Sequence, residues 1–248
     1  MNSFIISNVR MVTLYSVLEN AFVYVKKGII EAIGQTSPGR VHRSCNIING
    51  RGNWLFPGIV DLYNKTFDSG TSFFDAENSL ASHGVTTVCH LIPEDDTTLF
   101  NDFNKYRRLG LIRHHSCSNP CTSGTLTLIS AAGILQETAK PSNIEMTDIV
   151  ENNDIYILCS DNAEATVLEA IFTLHGTLGL SMVDAVAMAT ITPAMAFGVE
   201  KKLGSIECGK NADLVMVSPT GPRAEMVFVS GCKVYENCDL SGSNNNAV

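Results

Sequence analysis

Near the start of the chain, apolar and polar residues alternate with the two-residue period of half-buried strands. Phe4-Ile5-Ile6-Ser7-Asn8-Val9-Arg10-Met11-Val12 reads as one strand and Ala21-Phe22-Val23-Tyr24-Val25 as the next. Lys27-Gly28 forms a turn and Ile29-Ile30-Glu31-Ala32-Ile33-Gly34 returns as a third strand. A short strand at Cys45-Asn46-Ile47-Ile48 precedes Gly50-Arg51-Gly52-Asn53-Trp54-Leu55-Phe56-Pro57-Gly58.

After Gly58 the period changes. Ile59-Val60-Asp61-Leu62 is a short buried strand, and residues 75–84 predict a helix ending at Gly84 as its C-cap. Val85 to Ile92 is a second apolar strand, followed by a helix over 96–109. Thr125–Ile129 and Ile155–Cys159 are further strands with a helix near 143–152 between them, and helices follow at 163–178 and 181–190. Ser181 reads as an N-cap with Asp184 three residues on, a capping-box-like pair. Strands alternating with helices indicate βα units around a parallel sheet. From Leu203 to Cys238 the chain returns to short strands and turns, and the polar tail 239–248 reads as disordered.

An apolar content of 45% against 17% charged residues describes a packed globule, not a disordered chain. The formal net charge of −8 speaks against nucleic acid or an anionic membrane as partner, since both reward clustered Lys and Arg. The N-terminus reads directly into a strand, without the pattern of a signal peptide, and no apolar run approaches the roughly 20 residues of a bilayer span. Eight scattered cysteines, with Cys89 and Cys159 in apolar runs, suit a cytoplasmic protein with buried thiols. His114, His115, Cys117 and Cys121 lie close together but lack the second paired element of a structural zinc site, so a polar exposed loop is the reading.

The last third carries more chemistry. Ser160-Asp161, then Thr192-Pro193-Ala194, then Leu203-Gly204-Ser205-Ile206-Glu207-Cys208-Gly209-Lys210-Asn211-Ala212-Asp213-Leu214-Val215 resemble, in that order, the end of an amidohydrolase-superfamily enzyme. Gly50-x-Gly52-x-Trp54-Leu55-x-Pro57-Gly58, the stretch Thr127 to Asp161 and the helix Leu168–Phe172 resemble most the phosphonate-pathway hydrolases that remove diphosphate from α-D-ribose 1-methylphosphonate 5-triphosphate. Ser82-His83-Gly84-Val85-Thr86-Thr87 is similar to N-acetylglucosamine-6-phosphate deacetylases, the second candidate.

The resemblance implies an α/β fold. Its parts are a small β-sandwich built from both chain ends, 1–56 and 203–238, and a (β/α) TIM-like barrel over 57–202. A complete barrel uses about 200 residues or more, so the barrel expected here is shortened and incomplete, with room for four or five strand-helix units.

The resemblance further implies a divalent, zinc-like metal whose bound water attacks the substrate, with Asp161 as both metal ligand and catalytic water-orienting base. Lys140, Asn143 and Asn64 are the implied substrate-binding residues, toward a phosphorylated small molecule. Most of the implied ligands are replaced. Tyr63 stands at the position of the first His, Lys65 at the second ligand and Lys140 at a later His. An ammonium has no lone pair to give a cation. Impaired or lost catalysis is therefore expected. The rival expectation is a non-catalytic binding or assembly protein, a homo-oligomer that covers the open edges of a part-barrel with a second copy. Asp161 as a simple N-cap of the following helix is the structural alternative.

Overall fold

In a computed structural model, residues 3–35, 45–64, 72–92, 97–107, 110–117, 126–131, 134, 155–160 and 166–238 are described. Strands β1 (Phe4–Val12), β2 (Val17–Lys26), β3 (Ile29–Gln35) and β4 (Asn46–Asn49) form where the sequence predicts them, and a further strand, β5 (Trp54–Pro57), follows. The turn between β2 and β3 puts Lys27 at φ 52° and Gly28 at φ 82°, the left-handed geometry that matches hairpin twist.

Strands from both ends of the chain share one eight-stranded sheet. With β11 (Leu214–Val217), β12 (Ala224–Val229) and β13 (Cys232–Glu236), its order is β13-β12-β11-β5-β1-β2-β3, and β4 pairs with β1. β11 joins the two ends by pairing antiparallel with β5, Leu214 opposite Pro57 and Val217 opposite Trp54. Every residue of β11 is buried. Leu214 and Met216 pack on one face with Phe4, Ile6, Met11, Val23 and Phe228. Val215 and Val217 pack on the other with Phe56, Val227 and the helical layer. That two-sided burial is why this strand reads as an unbroken apolar run.

The middle of the chain builds parallel pairs. β6 (Ile59–Asn64), β7 (Val85–Leu91) and β8 (Arg113–Cys117) form a three-stranded parallel sheet, and β9 (Leu126–Ser130) pairs parallel with β10 (Ile155–Cys159). Among the described residues these strands do not close into a barrel. Between β6 and β7 lies α1 (Phe73–Ser82), and between β7 and β8 lies α2 (Thr97–Tyr106). Gly58 is obligatory at the β5–β6 junction, because a Cβ there would sit 2.2 Å from the Thr86 hydroxyl of β7.

Several expected boundaries shift for local reasons. α1 starts two residues early, and its C-cap is His83, with Gly84 at φ 84° beyond it. The helix expected at 163–178 is α3 (Val167–Gly176), and its N-cap is Thr166, which corrects the alternative of Asp161 as cap. Thr166 Oγ1 accepts from the Glu169 amide at 3.1 Å while the Glu169 carboxylate accepts from the Thr166 amide at 3.4 Å, a complete capping box. The helix expected over 181–190 is shorter, α4 (Met182–Ala187), followed by a separate α5 (Ile191–Ala196) that carries Pro193. Ser181 caps α4 by accepting from the Asp184 amide at 3.1 Å. The helix expected near 143–152 lies outside the described residues, as does the tail from 239.

Candidate functional site

Two clusters of buried polar side chains involve the parallel strands β6, β7, β8 and β10. The first lies between β6 and the end of β10, and the second between β7, β8 and α1. In α/β folds the C-terminal strand ends are where ligands and chemistry are placed.

The first surrounds Asp61, a fully buried carboxylate in an otherwise apolar strand. Its Oδ1 accepts from the backbone amides of Ser160 at 3.2 Å and Tyr63 at 3.3 Å. Its Oδ2 accepts from the Ser160 hydroxyl at 2.5 Å and from Asn64 Nδ2 at 3.1 Å. Asn64 Nδ2 also donates to Ser160 Oγ at 2.9 Å. Burial pushes the Asp61 carboxyl above its ordinary range, and the hydrogen bonds from Ser160, Asn64 and Tyr63 oppose it.

The second cluster is a stack of imidazoles ending on a carboxylate. His90 of β7 lies over His114 of β8, ring centroids 5.2 Å apart and planes within 9°. His90 Nε2 is 2.9 Å from His114 Nδ1, and His114 Nε2 is 3.2 Å from Glu77 Oε1 on α1. Glu77 Oε1 also accepts from the Ile112 amide at 2.9 Å. An ionised carboxylate only accepts, so His114 carries its proton on Nε2. In the contact between His90 Nε2 and His114 Nδ1 one ring donates and the other accepts, according to the tautomer. Phe73 and Phe103 pack against His114 and His90. Gly110 permits the approach of α1, since a Cβ there would lie 2.5 Å from Glu77 Oε1.

Burial, then the charges of His114 and His115, push His90 down to about 3. Burial acts to raise Glu77, but the hydrogen bond and charge of His114 and the amides of Ile112 and Leu111 outweigh it and hold the carboxyl below its usual range. Burial and the positive charges of Arg113 and Arg107 lower His115, whose ring packs edge-on against Phe197.

The expected residues fare unevenly. Asp161, Lys140, Asn143, Lys65 and Cys121 lie outside the described residues. Asn64 is buried, 3% exposed, and is a ladder partner of His90. Tyr63 is half-buried. The exposed loop expected at His114 and His115 is corrected: both lie in β8, and His114 is buried because the strand is paired and covered by α1. Cys89 and Cys159 are buried thiols as expected. Asp213, within the Leu203–Val215 stretch, is buried and ion-paired with Arg113 of β8. Sequence reasoning also passed over Asp61 and Glu77. A signal was present for both. Asp61 interrupts an apolar strand, and Glu77 falls on the helical stripe of Phe73, Ala76, Leu80 and Ala81.

Among the described residues, which do not include Asp161, the divalent metal that the resemblance implies finds no donor set. Among the described residues no three His, Cys, Asp or Glu side chains converge as cation ligands. Both oxygens of Asp61 are taken by protein donors, and His114 is committed to His90 and Glu77. No catalytic step through a metal is therefore derived from these residues.

The fold is a mixed α/β one that places polar side chains along its parallel strands. Residues 19–246 match the model of the amidohydrolase family, and the chain belongs to that family. It is 35% identical over 83 residues to adenine deaminase 3 of Rhizobium meliloti, a match covering 31% of this chain and 14% of that protein. It is 29% identical over 147 residues to a 5-methylthioadenosine/S-adenosylhomocysteine deaminase of Thermodesulfovibrio yellowstonii, covering 58% of this chain and 31% of the other. The chain thus spans less than a third of the length of these curated relatives.

Among solved structures, an enamidase superposes with a TM-score of 0.68 at 14% identity, over 95% of this chain and 96% of that one. N-acetylglucosamine-6-phosphate deacetylase from Pasteurella multocida gives 0.68 at 14% identity, over 95% and 100%. At such identities the likeness is one of fold. Among the described residues no helix is long and apolar enough to cross a membrane.

Proposed function

We propose that this chain is an amidohydrolase-family hydrolase in which catalysis is impaired or lost, derived from enzymes that act on phosphorylated small molecules such as the phosphonate-pathway diphosphatases. The commitment of Asp61 carries the reading. The only carboxylate described at the strand ends of β6 and β10 spends both oxygens on Ser160, Asn64 and Tyr63, and Tyr63 stands where the resemblance places an imidazole ligand. In the phosphonate reading Asp161 orients water and Lys140 and Asn143 contact the phosphate groups, while Asn64 is spent on Asp61 and Ser160. Self-association through the parallel strands of the middle segment accompanies this reading.

Elemental analysis of the purified chain tests it, paired with phosphate- or diphosphate-release assays on ribose phosphate esters. We expect no stoichiometric zinc, iron or manganese and no turnover. One or more metal ions per chain, lost together with turnover on Asp161→Ala, would overturn it. A second reading, hydrolytic deamination of an adenine-containing substrate, is supported by the names of the two curated relatives. Ammonia release from adenine or 5-methylthioadenosine, measured on the same preparation, separates it from the first.

A further inference from the structure

Among the described residues β6 and β10 are neighbours without a backbone ladder between them: β6 pairs with β7, and β10 with β9. Two neighbouring sets of contacts join them. The amides of Val60 and Leu158 donate to consecutive carbonyls of the segment after α4, Ala189 and Met188, each at 2.9 Å. Directly beside these, the join among the described residues runs through the Asp61 carboxylate. Asp61 accepts the Ser160 amide and hydroxyl, and Asn64 reaches Ser160 Oγ.

We infer that Asp61 is a positioning residue that closes the seam between β6 and β10, a side-chain strap standing where a strand ladder is missing. Four donors converge on its two oxygens, so a carboxylate suits the position in a way that an apolar residue does not. The strap is intolerant of truncation. Without the carboxylate, two backbone amides, a hydroxyl and an amide side chain face one another in a buried space with no common acceptor. Ser160 directly precedes Asp161 in sequence, so the strap fixes the peptide from which that residue departs. The strand arc then has one weak line, along which β10 separates from β6 before either parallel sheet comes apart.

Native-state hydrogen exchange, read residue by residue on the full chain, tests the strap. In Asp61→Ala the amides of Tyr63 and Ser160 lose their acceptor whatever the role of Asp61, and Val60 adjoins the substituted residue, so the decisive amide is Leu158, on β10 across the seam. The strap predicts that Leu158 exchanges about tenfold faster or more, while amides of the β1–β2 ladder keep their rates. Asp61→Asn, which retains an oxygen for the two backbone amides, is expected to recover most of the protection. If Asp61→Ala does not fold, Ser160→Ala removes the hydroxyl and leaves the amide hydrogen bond, and the decisive amide is then Val60, on β6 across the seam, with smaller amplitude. Acceleration that does not cross to the opposite strand beyond Tyr63 and Ser160, or that spreads equally over β1 and β2, would overturn the inference.

Discussion

Replacing Arg113 by alanine should cost this protein more stability than any surface change, because it strands a buried carboxylate. Arg113 lies on β8, while Asp213 precedes β11 and Ser230 follows β12, so the guanidinium ties the parallel sheet to the eight-stranded one. Asp213 accepts from both terminal nitrogens of Arg113 and from the Ser230 amide at 2.8 Å, and Arg113 Nη2 also donates to Ser230 Oγ at 2.5 Å. The Asp213 side chain is 4% exposed and that of Arg113 24%. Breaking a buried pair from one side costs about 3–5 kcal/mol. Water reaching the exposed part of the Arg113 site puts Arg113→Ala near the lower end, about 3 kcal/mol. With a urea m-value of about 3 kcal/mol/M, the unfolding midpoint falls by about 1 M.

The loss should also depend on pH in a definite direction. Burial raises the Asp213 carboxyl above its ordinary range, and Arg113 and the Ser230 amide oppose the rise. Without Arg113 the folded-state value rises further. Ionised Asp213 then destabilises the variant at neutral pH, and that penalty disappears as pH falls through the raised value, where the folded state takes up the proton. The deficit relative to the parent therefore shrinks on acidification. The double variant Arg113→Met with Asp213→Asn, which leaves no buried charge, should lose less than Arg113→Ala alone. Urea titrations of all three proteins between pH 4 and 8 (about the carboxylate-to-neutral range) give the answer. A deficit under about 0.5 kcal/mol, the size of an ordinary surface change, or one that grows toward acid, would refute the argument.

Three further outcomes are expected. Glu77→Gln should cost about 1–3 kcal/mol at pH 7 by weakening the bond to His114; because the folded Glu77 value is depressed, the difference from the parent should vanish as pH falls through it, as urea unfolding across pH will show. His90, pushed down to about 3 by burial and its histidine neighbours, should show no imidazole titration by NMR between pH 5 and 8 (about the range in which ordinary histidines titrate); a transition near 6.5 would mean that the stack is open to water. Thr166→Ala removes the capping box of α3 and should lower stability by about 1 kcal/mol, seen as a lower Tm by circular dichroism.

How much of this was legible in the residues differs element by element. The strands of β1, β2, β3 and β11 follow from alternation or from an unbroken apolar run, because a pleated strand exposes its side chains to two faces in turn. The family was legible in Thr192-Pro193-Ala194 and the Leu203–Val215 hairpin, and the matching family model covers both. Capping at Ser181 could be read from adjacent residues, since its donor and acceptor are three positions apart.

Contacts between residues far apart in sequence were decided by the tertiary structure alone. Arg113 meets Asp213 across 100 positions and Ser160 meets Asp61 across 99, and no local pattern encodes either distance. His114 read as a loop residue because a polar Arg-His-His-Ser run lacks strand periodicity, yet pairing with β7 and cover from α1 bury it. Asp61 and Glu77 show the division most clearly. Sequence marks each as a charge among apolar neighbours, which says that a partner is required. Which partner satisfies it depends on how the strands and helices pack, because a buried carboxylate takes whatever donors the assembled fold brings within reach.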